Sequence, residues 1–411
     1  MTSASSSSAA FASLEPLRRG CVDLIDEADL ARKVARGPVT VKVGFDPSAP
    51  DIHLGHTVVL RKMRHFQDAG HRVVFVIGDF TGAIGDPSGK KTTRPQLSRE
   101  EIEENARTYT KQAFKILDAD KTVIEFNGKW LNALGAAGLV RLAARVTVAR
   151  ILERDDFQKR WNAKQPIALH ELLYPLAQGY DSVALKADVE LGGTDQLFNL
   201  LVGRDLMRSE GLEPQVVMTL PLLVGIDGTE KMSKSLGNAI GVLDPPGDMF
   251  GKVMSIPDAL LWSWYELLTD VPAADIAARR RRVESGGENP RDAKAELARS
   301  IVADFHGADA AARADDDFRR AFSKGEVPDE LESRELPRDG VGGGAAAKTL
   351  VALGLCASMR EARRKIDEGA LKVYAGGAAE PREVRDAEAK LADGPSVVLR
   401  LGRRFIRVVW T

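Results

Sequence analysis

Two pairs of basic side chains have the spacing expected of a site that binds phosphate groups. His53 and His56 stand three residues apart where a turn meets a predicted helix, so both imidazoles lie on one face of its first turn. The free N–H groups and the positive end of the helix dipole favour an anion there, and Gly55 leaves room for its close approach. Lys231 and Lys234 lie on a polar loop, where they could meet a polyphosphate whose charge grows as its bond breaks. Either motif alone is most often a surface feature, but together they indicate phosphate chemistry.

A glycine-rich segment follows a predicted strand and adds further basic groups. Gly85 and Gly89 are separated by three residues, whereas the GxxxxGK[ST] loop requires four, so a Walker-type NTPase is disfavoured. The backbone N–H groups of this segment, with Lys90 and Arg94, could still approach an anion. A simple connecting loop does not easily account for so many glycine and basic positions.

A polar helix face is the third candidate for a binding site. Tyr174, Gln178 and Asp181 stand at positions i, i+4 and i+7, which places them on one side of a helix. On spacing alone, an exposed polar face is as good an interpretation as a pocket. The segment Gly-Gly-Thr-Asp-Gln follows closely and supplies Asp195 and Gln196.

The elements that must position these residues form an α/β pattern. Short β-branched runs alternate with amphipathic stretches from about residue 20 to 228, which predicts a Rossmann-like parallel sheet. The stretch from 98 to about 160 has a helical pattern and is predicted to be an insertion between two halves of the sheet. The predicted strands are 39–45, 72–77, 187–191 and 216–223, and the predicted first helix after the turn is 54–69.

The rest of the chain is predicted to form a helical domain and a small α+β unit. The predicted boundaries are a disordered tail at 1–19, a sheet domain at 20–247 with a loop at 229–240, helices at 248–335, a flexible linker at 336–344 and the small unit at 345–411.

The small C-terminal unit is the best candidate for an RNA contact. It holds 13 Lys and Arg against 8 Asp and Glu, a net charge of +5. Arg360, Arg363 and Arg364 have helical spacing and can share one basic face, although a solvated helix is the alternative. The run Arg279–Arg282 is a weaker candidate, because charge runs are usually solvated.

Composition excludes several classes of protein. The 411 residues carry 58 Lys and Arg against 59 Asp and Glu, so the chain is no uniformly basic nucleic-acid coat. Cys21 and Cys356 are far apart and without a CxxC, which argues against a disulfide framework and a zinc site. The longest apolar runs are too short to cross a bilayer, and the Ser- and Ala-rich start lacks the apolar region of a secretory signal. A cytoplasmic protein with no membrane association is expected, with a transit-peptide fragment as the less favoured interpretation of the tail.

The combination of HLGH with KMSKS about 180 residues later resembles the class I aminoacyl-tRNA synthetases. The further segments GFDPSAPDIHLGH, GDPSGKK, YPLAQGYD and GGTDQ resemble the bacterial tyrosyl-tRNA synthetases, in the subgroup with KMSKS and a C-terminal ribosomal-protein-type RNA-binding domain. The resemblance covers nearly the whole chain after residue 20. It implies an ATP-dependent tyrosine–tRNA ligase and makes 248–335 an anticodon-binding domain.

The resemblance also implies roles for individual residues. Asp181 would accept a hydrogen bond from the tyrosine hydroxyl, while Tyr174, Gln178 and Asp86 would hold its ammonium group. The implied catalytic residues are His53, His56, Lys231, Lys234, Ser235, Lys90 and Arg94. The implied ATP-binding residues are Asp46, Ser48, Gly55, Gly193, Asp195 and Lys234, the remaining tyrosine contact is Gln196, and the tRNA contacts are Arg360, Arg363 and Arg364.

Three positions depart from the pattern of the best-known members of the family. Lys42 stands where those enzymes have a tyrosine that touches the substrate hydroxyl, so hydroxyl recognition is expected to rest more on Asp181. Val43 and Val59 stand where those enzymes place polar ribose contacts.

The partners implied by the family are L-tyrosine, ATP, the tyrosine tRNA and a second copy of the chain, contacted through the insertion around 118–160. Mg²⁺ would arrive with ATP, and zinc is not expected. Two other classes stay open from the residues: a degenerate paralogue that activates another small molecule, and a non-catalytic RNA-binding protein. The paired phosphate motifs argue against the second, and the Tyr174, Gln178 and Asp181 face argues against the first.

Overall fold

The computed structural model describes residues 14–47, 51–86, 98–323, 331–375, 381–391, 394–402 and 404–411. The chain divides into two compact units. The first extends to Leu243 and includes Pro257–Ile276, and the second comprises Asp244–Ile256 and Ala277–Thr411. No helix within the described ranges is long and apolar enough to cross a membrane.

A six-stranded sheet forms the centre of the first unit, in the order β1-β6-β5-β2-β3-β4. All neighbouring strands are parallel except β1, which pairs antiparallel with β6. The runs of Val, Ile and Phe in the inner strands are buried, as expected for strands covered by helices on both faces. The strands are β1 (Asp23–Ile25), β2 (Thr40–Phe45), β3 (Arg72–Ile77), β4 (Thr122–Phe126), β5 (Val189–Gly193) and β6 (Val216–Leu220).

Helices connect these strands, and the polar segments at their starts follow the carboxyl ends of the strands. The helices of the first unit are α1 (Glu27–Arg36), α2 (Leu54–Asp68), α3 (Asp79–Ile84), α4 (Arg99–Ala113), α5 (Gly128–Ala143), α6 (Val148–Ile151), α7 (Asp155–Asn162), α8 (Tyr174–Leu185), α9 (Leu197–Ser209) and α11 (Leu261–Leu268), with 3₁₀ turns at Ala119–Lys121, Leu169–Leu173, Thr194–Gln196, Lys234–Leu236 and Asp258–Leu260.

The α/β class with a parallel Rossmann-like sheet is confirmed. The predicted insertion from 98 to 160 differs in one respect, because it contains β4, which pairs in parallel with β3 and completes one edge of the sheet. The β-branched run Thr-Val-Ile is too short to stand out between two long helical patterns. The sequence pattern also does not predict the short edge strand β1.

The second unit combines helices with a five-stranded sheet in the order β7-β11-β10-β8-β9. Its helices are α10 (Pro246–Met254), α13 (Pro290–His306), α14 (Ala308–Ser323), α15 (Ala346–Ala352) and α16 (Met359–Asp367), and α12 (Ala273–Glu284) begins in the first unit and continues into the second. The strands are β7 (Ser333–Leu336), β8 (Leu371–Ala375), β9 (Arg382–Val384), β10 (Ser396–Leu401) and β11 (Arg404–Trp410).

The C-terminal sheet begins earlier in the chain than the sequence predicts. β7 pairs in parallel with β11, so residues 333–336 belong to the same sheet as the small α+β unit. In the segment predicted as a linker, residues 339–341 form a 3₁₀ turn and Val341 is buried. The glycines of that segment suggested flexibility, but the positive φ angles of Gly342, Gly343 and Gly344 instead permit a tight turn into α15.

Candidate active site

The HLGH segment forms the start of α2. His53 is the N-cap residue, and its Nδ1 accepts the N–H of Gly55 at 3.2 Å. His56 Nδ1 accepts the backbone N–H of His53, also at 3.2 Å. A Cβ atom at Gly55 would lie 2.9 Å from His53 Cε1, so this contact requires glycine. The two rings, with centroids 3.9 Å apart, lie together at the helix N-terminus as the spacing predicts.

Both imidazoles are neutral in the free protein near pH 7. Burial lowers the pKa of His53 to about 2, helped by His56 and by the nearby lysines. Burial and Lys234 lower the pKa of His56 to about 4. Since Nδ1 of each ring accepts a hydrogen bond, the neutral rings carry their proton on Nε2. Each histidine can therefore donate one N–H to a phosphate oxygen.

The loop at 229–240 is anchored beside the start of α2. The N–H of Leu54 donates to Ile240 O at 2.9 Å, and the N–H of Val242 donates to Ile52 O at 3.0 Å. These bonds flank a bridge between His53 and Gly241. The HLGH segment is therefore joined by backbone hydrogen bonds to residues 240–242, where the loop that carries Lys231 and Lys234 ends.

Asn238 fixes the conformation of the same loop from inside. Its side chain is buried, and its Oδ1 accepts the N–H of Ser233 at 2.7 Å. Its Nδ2 donates to Asp227 Oδ2 at 2.7 Å. The N–H of Met232 donates to Leu223 O at 2.7 Å, and this buried methionine holds the middle of the loop against the sheet domain.

The two lysines of the loop project from this anchored base. Lys231 Nζ lies 3.4 Å from Asp195 Oδ2, and Lys234 forms an ion pair with Asp51. Ser235 Oγ lies 2.9 Å from Ser233 Oγ. The lysine side chains are 45% and 40% exposed, so a ligand can compete for them.

Asp46 and Tyr174 meet at the carboxyl end of β2. Tyr174 OH donates to Asp46 Oδ2 at 2.8 Å, and Thr81 Oγ1 donates to Asp46 Oδ1 at 2.6 Å. Burial and the neighbouring Asp46 carboxylate raise the pKa of Tyr174 well above its usual value. A Cβ atom at Gly78 would lie 2.1 Å from Asp46 Oδ1, so this arrangement requires glycine at the end of β3.

Asp181 is a buried carboxylate with two side-chain donors. Trp130 Nε1 donates to its Oδ1 at 2.8 Å, and Asn127 Nδ2 donates to its Oδ2 at 3.4 Å. Burial raises its pKa to about 6, opposed by Lys42 and by these two hydrogen bonds. The carboxylate is therefore ionised at neutral pH and is able to accept another hydrogen bond.

A relay of polar side chains connects the remaining predicted tyrosine contacts. Asn199 Nδ2 donates to Gln178 Oε1 at 2.8 Å and to Gln196 Oε1 at 3.0 Å. Gln196 Nε2 donates in turn to Asp86 Oδ2 at 3.0 Å. Asp86 Oδ1 accepts from Arg154, a buried arginine of the insertion, at 3.1 Å. The structure thus brings Asp86, Gln178 and Gln196 into one network.

Three of the predicted site residues lie outside the described part of the chain: Ser48, Lys90 and Arg94. Gly193 ends β5, where a Cβ atom would lie 2.7 Å from Asp195 Oδ1.

The predicted tRNA contacts lie in the second unit, on α16. The Arg363 and Arg364 side chains are 59% and 68% exposed and form long ion pairs with Glu388 and Glu368, at 3.3 Å and 3.9 Å. Such exposed pairs are weak, so these arginines can exchange partners for phosphate groups. Arg360 is the second residue of the same helix and is also exposed.

Sequence reasoning missed Trp130, Asn127, Asn199 and Arg154. These side chains act through Asp181, Gln178 and Asp86, and nothing in their own spacing indicates a site. Asn127 follows β4, and a prediction of that strand would have placed it at the carboxyl edge of the sheet. Among the described residues no group of three or more His, Cys, Asp or Glu side chains could hold a metal ion.

Comparisons with known proteins identify the family of the chain. Residues 34–323 match the family model of class I tRNA synthetases (W and Y). A tyrosine–tRNA ligase of Haemophilus influenzae is 56% identical over 396 residues, covering 96% of this chain and 96% of the relative. One of Nitratidesulfovibrio vulgaris is 52% identical over 396 residues, covering 96% of this chain and 98% of the relative.

Solved structures with lower identity share the fold. Tyrosyl-tRNA synthetase from Archaeoglobus fulgidus, complexed with L-tyrosine, has a TM-score of 0.61 at 21% identity, covering 74% of this chain and 99% of that one. A C-terminally truncated mitochondrial enzyme of Aspergillus nidulans has a TM-score of 0.62 at 22% identity, covering 75% and 93%. From the family match and the close relatives together, the chain belongs to the class I tRNA synthetases and, within them, to the tyrosine–tRNA ligases.

Proposed function

We propose that this tyrosine–tRNA ligase works through the residues that gather at the carboxyl edge of the six-stranded sheet. The observation that carries the proposal is the position of the buried Asp181 carboxylate on the same helix, α8, as Tyr174, whose hydroxyl bonds Asp46. Asp46 directly follows β2, the strand that leads into the His53–His56 segment. One side of this edge carries acceptors for a phenol and an ammonium group, and the other carries donors for phosphates. Ligands of open α/β sheets bind at this edge.

In the first step, the carboxylate oxygen of tyrosine attacks the α-phosphorus of ATP. A new P–O bond forms, the bond to the β-phosphate oxygen breaks, and pyrophosphate leaves with the electron pair. No protein nucleophile is needed, so the chain contributes positioning and charge stabilisation. The Nε2–H groups of His53 and His56 and the ammonium groups of Lys231 and Lys234 supply donors for the phosphates. Lys90, Arg94 and Ser235 are assigned to the same role. Mg²⁺ enters as part of the MgATP substrate, and no zinc takes part.

Tyrosine is recognised at both ends. The Asp181 carboxylate accepts the phenol hydrogen, while Asp86, Gln178 and Tyr174 hold the ammonium group. Phenylalanine would leave the buried carboxylate without this partner, which costs free energy that tyrosine does not lose. The ATP contacts are assigned to Asp46, Ser48, Gly55, Gly193 and Asp195, and Gln196 borders the amino acid.

In the second step, a hydroxyl of the 3′-terminal ribose of the tRNA attacks the carbonyl carbon of the adenylate. An ester forms, AMP leaves, and the hydroxyl proton is released. The helices at 248–335 are assigned to the anticodon region, and the C-terminal sheet unit with Arg360, Arg363 and Arg364 to a further tRNA contact.

A homodimer and a cytoplasmic location complete the proposal. Four large apolar side chains of the segment from α5 to the turn before α8 are more than 60% exposed, and this supports the assignment of the segment to a dimer contact. A second copy of the chain would cover them. The four are Val140, Val148, Trp161 and Leu169.

Amino-acid-dependent exchange of labelled pyrophosphate into ATP, measured without tRNA, tests the proposal. We expect exchange with tyrosine and near-background exchange with phenylalanine. Exchange that is equal for both amino acids would contradict the role of Asp181. Absence of exchange with all standard amino acids would contradict the first step as written.

A further inference from the structure

A buried ion pair lies beneath the tyrosine pocket. Lys42, on the central strand β2, has no exposed surface, and Glu190, on the neighbouring strand β5, is 1% exposed. Lys42 Nζ lies 2.8 Å from Glu190 Oε1. Placing two charges in a protein interior costs several kcal/mol per ion in desolvation, and replacement by apolar residues is often neutral or stabilising. Stability alone is therefore a weak reason for this pair.

The pair is connected directly to helix α8, which carries the tyrosine-recognition residues. Lys42 Nζ donates to the backbone carbonyl of Gln178 at 3.2 Å, and Glu190 Oε2 accepts the hydroxyl hydrogen of Ser182 at 2.7 Å. These two bonds flank Asp181 in the chain. They fix the turn of α8 that presents the Asp181 carboxylate.

The ammonium group also acts on Asp181 by charge. After burial, Lys42 has the largest influence on the pKa of Asp181, which it lowers, while the more weakly acting Glu190 raises it. The other groups facing Asp181 are the neutral donors Trp130 and Asn127 of α5 and its N-cap. The charged side chains of the other elements around α8 have partners other than Asp181. Asp79 of α3 accepts a hydrogen bond from the Gly128 N–H, and Glu171 forms an ion pair with Arg160.

We propose that Lys42 is a positioning residue for tyrosine recognition, which holds α8 on the sheet through the Gln178 carbonyl and acts by its charge on the buried Asp181 carboxylate. The inference rests on the proposed role of Asp181 in binding the tyrosine hydroxyl. Lys42 touches neither substrate in this assignment, and its effect passes through Asp181. Glu190 completes the arrangement by balancing the lysine charge and by bonding Ser182.

The double variant Lys42→Met/Glu190→Gln tests the proposal, because it removes both charges and leaves no unpaired buried ion. The measurement is the pH profile of kcat/KM for tyrosine in pyrophosphate exchange, with KM for ATP followed separately. We expect the acid limb, where activity falls as Asp181 is protonated, to move up by about one pH unit. At pH 7 the preference for tyrosine over phenylalanine falls by about twofold, because the ionised fraction of Asp181 falls from about 0.9 to about 0.5. KM for tyrosine rises and KM for ATP is unchanged.

Glu190→Gln alone gives the opposite sign, and it is compared only as a folded protein because it leaves the Lys42 ammonium without its ion-pair partner. It removes a negative charge near Asp181, so the acid limb moves down. Lys33→Met is the matched control, because Lys33 is also buried, at 4% exposure, and pairs with Asp188 at the other end of the sheet. This control is expected to lower the melting temperature while leaving the acid limb in place.

The result that overturns the inference is a folded double variant, or a folded Glu190→Gln variant, with the wild-type acid limb and wild-type amino-acid preference. Asp181→Asn separates this result from a failure of the proposed function. If Asp181→Asn loses the preference for tyrosine while the Lys42 variants keep it, the role of Asp181 stands and that of Lys42 is wrong. If Asp181→Asn also keeps the preference, the proposed recognition of the hydroxyl is itself wrong.

Discussion

Lys234 forms an ion pair with Asp51, two residues before the first histidine of the HLGH segment. The pair occupies the lysine in the free protein, at a place where the ATP phosphates are proposed to bind. Both side chains are about 40% exposed, and exposed pairs contribute little to stability. Breaking this ion pair so that Lys234 can bind a polyphosphate therefore costs little free energy.

Replacing Lys234 by Ala is expected to slow adenylate formation about 100-fold, because one donor to the developing charge is lost. The dissociation constant of tyrosine stays unchanged, since the lysine is not part of the amino-acid pocket. Pre-steady-state kinetics with separate tyrosine titration measures both quantities. Asp51→Asn, which frees the lysine, serves as the comparison and is expected to lower KM for ATP. A variant of Lys234 that loses only tyrosine binding would contradict the assignment.

The histidine pair is expected to make stability depend on pH. The folded-state pKa values of His53 and His56 are lowered to about 2 and about 4, so the unfolded chain binds more protons below its pKa near 6.5. The free energy of unfolding therefore falls as pH decreases from 6.5 toward 4. Urea denaturation across this range measures the slope. His53→Asn/His56→Asn keeps an N-cap side chain, and a slope equal to that of the wild type would rule out this linkage.

Asp181→Asn is expected to reduce the preference for tyrosine over phenylalanine by tenfold or more, because a charged acceptor becomes neutral. In the wild type, the pKa near 6 means that lowering the pH through 6 protonates the carboxylate and raises KM for tyrosine. In the variant this acid limb is absent. Exchange assays with both amino acids from pH 5 to 8 measure both effects. A limb that persists in Asp181→Asn would belong to another group.

Deleting residues 331–411 is expected to preserve pyrophosphate exchange and to impair tRNA charging. The cut is placed before β7, because that strand pairs with β11 and a cut at 345 would leave it without a neighbour. The triple variant Arg360→Gln/Arg363→Gln/Arg364→Gln is the milder test. We expect the slope of log KM for tRNA against log salt to fall by about one for each lost phosphate contact. Equal loss of exchange and charging would contradict this division of labour.

Trp161→Asp is expected to produce monomers, because it places a charge on the exposed apolar surface of the insertion. Sedimentation at a fixed protein concentration measures the change. Val22→Asp is the control, since Val22 is similarly exposed, at 58%, but lies outside the insertion. If the wild type sediments as the proposed dimer and the Trp161→Asp protein does so too, the interface lies elsewhere.

Much of this architecture follows from local patterns in the sequence. The β-branched runs at 40–45 and 72–77 lie within the predicted strands, because each is a buried β-branched run, and the helix after the first run has a clear period. β4 was not predicted, since three β-branched or aliphatic residues between helical stretches carry little signal. Its position depends on pairing with β3, which is a tertiary contact.

The sequence predicts residues of the candidate site only where they belong to a recognisable motif. His53, Lys234, Tyr174 and Asp181 belong to segments whose spacing is informative. Trp130 could not be found, because a lone tryptophan on an amphipathic helix is usually part of a core. The partnership of Lys42 with Glu190 joins two strands that are 148 residues apart, and no local pattern relates them.

The backbone bonds between the 52–54 and 240–242 segments have a consequence for how the enzyme can be divided. Because the HLGH segment is bonded through its main chain to the residues that directly follow the KMSKS loop, a fragment that lacks either segment loses this backbone support. We expect a chain cut between residues 56 and 231 to give two inactive halves. Activity is expected to return when the halves reassemble and the two segments pair again.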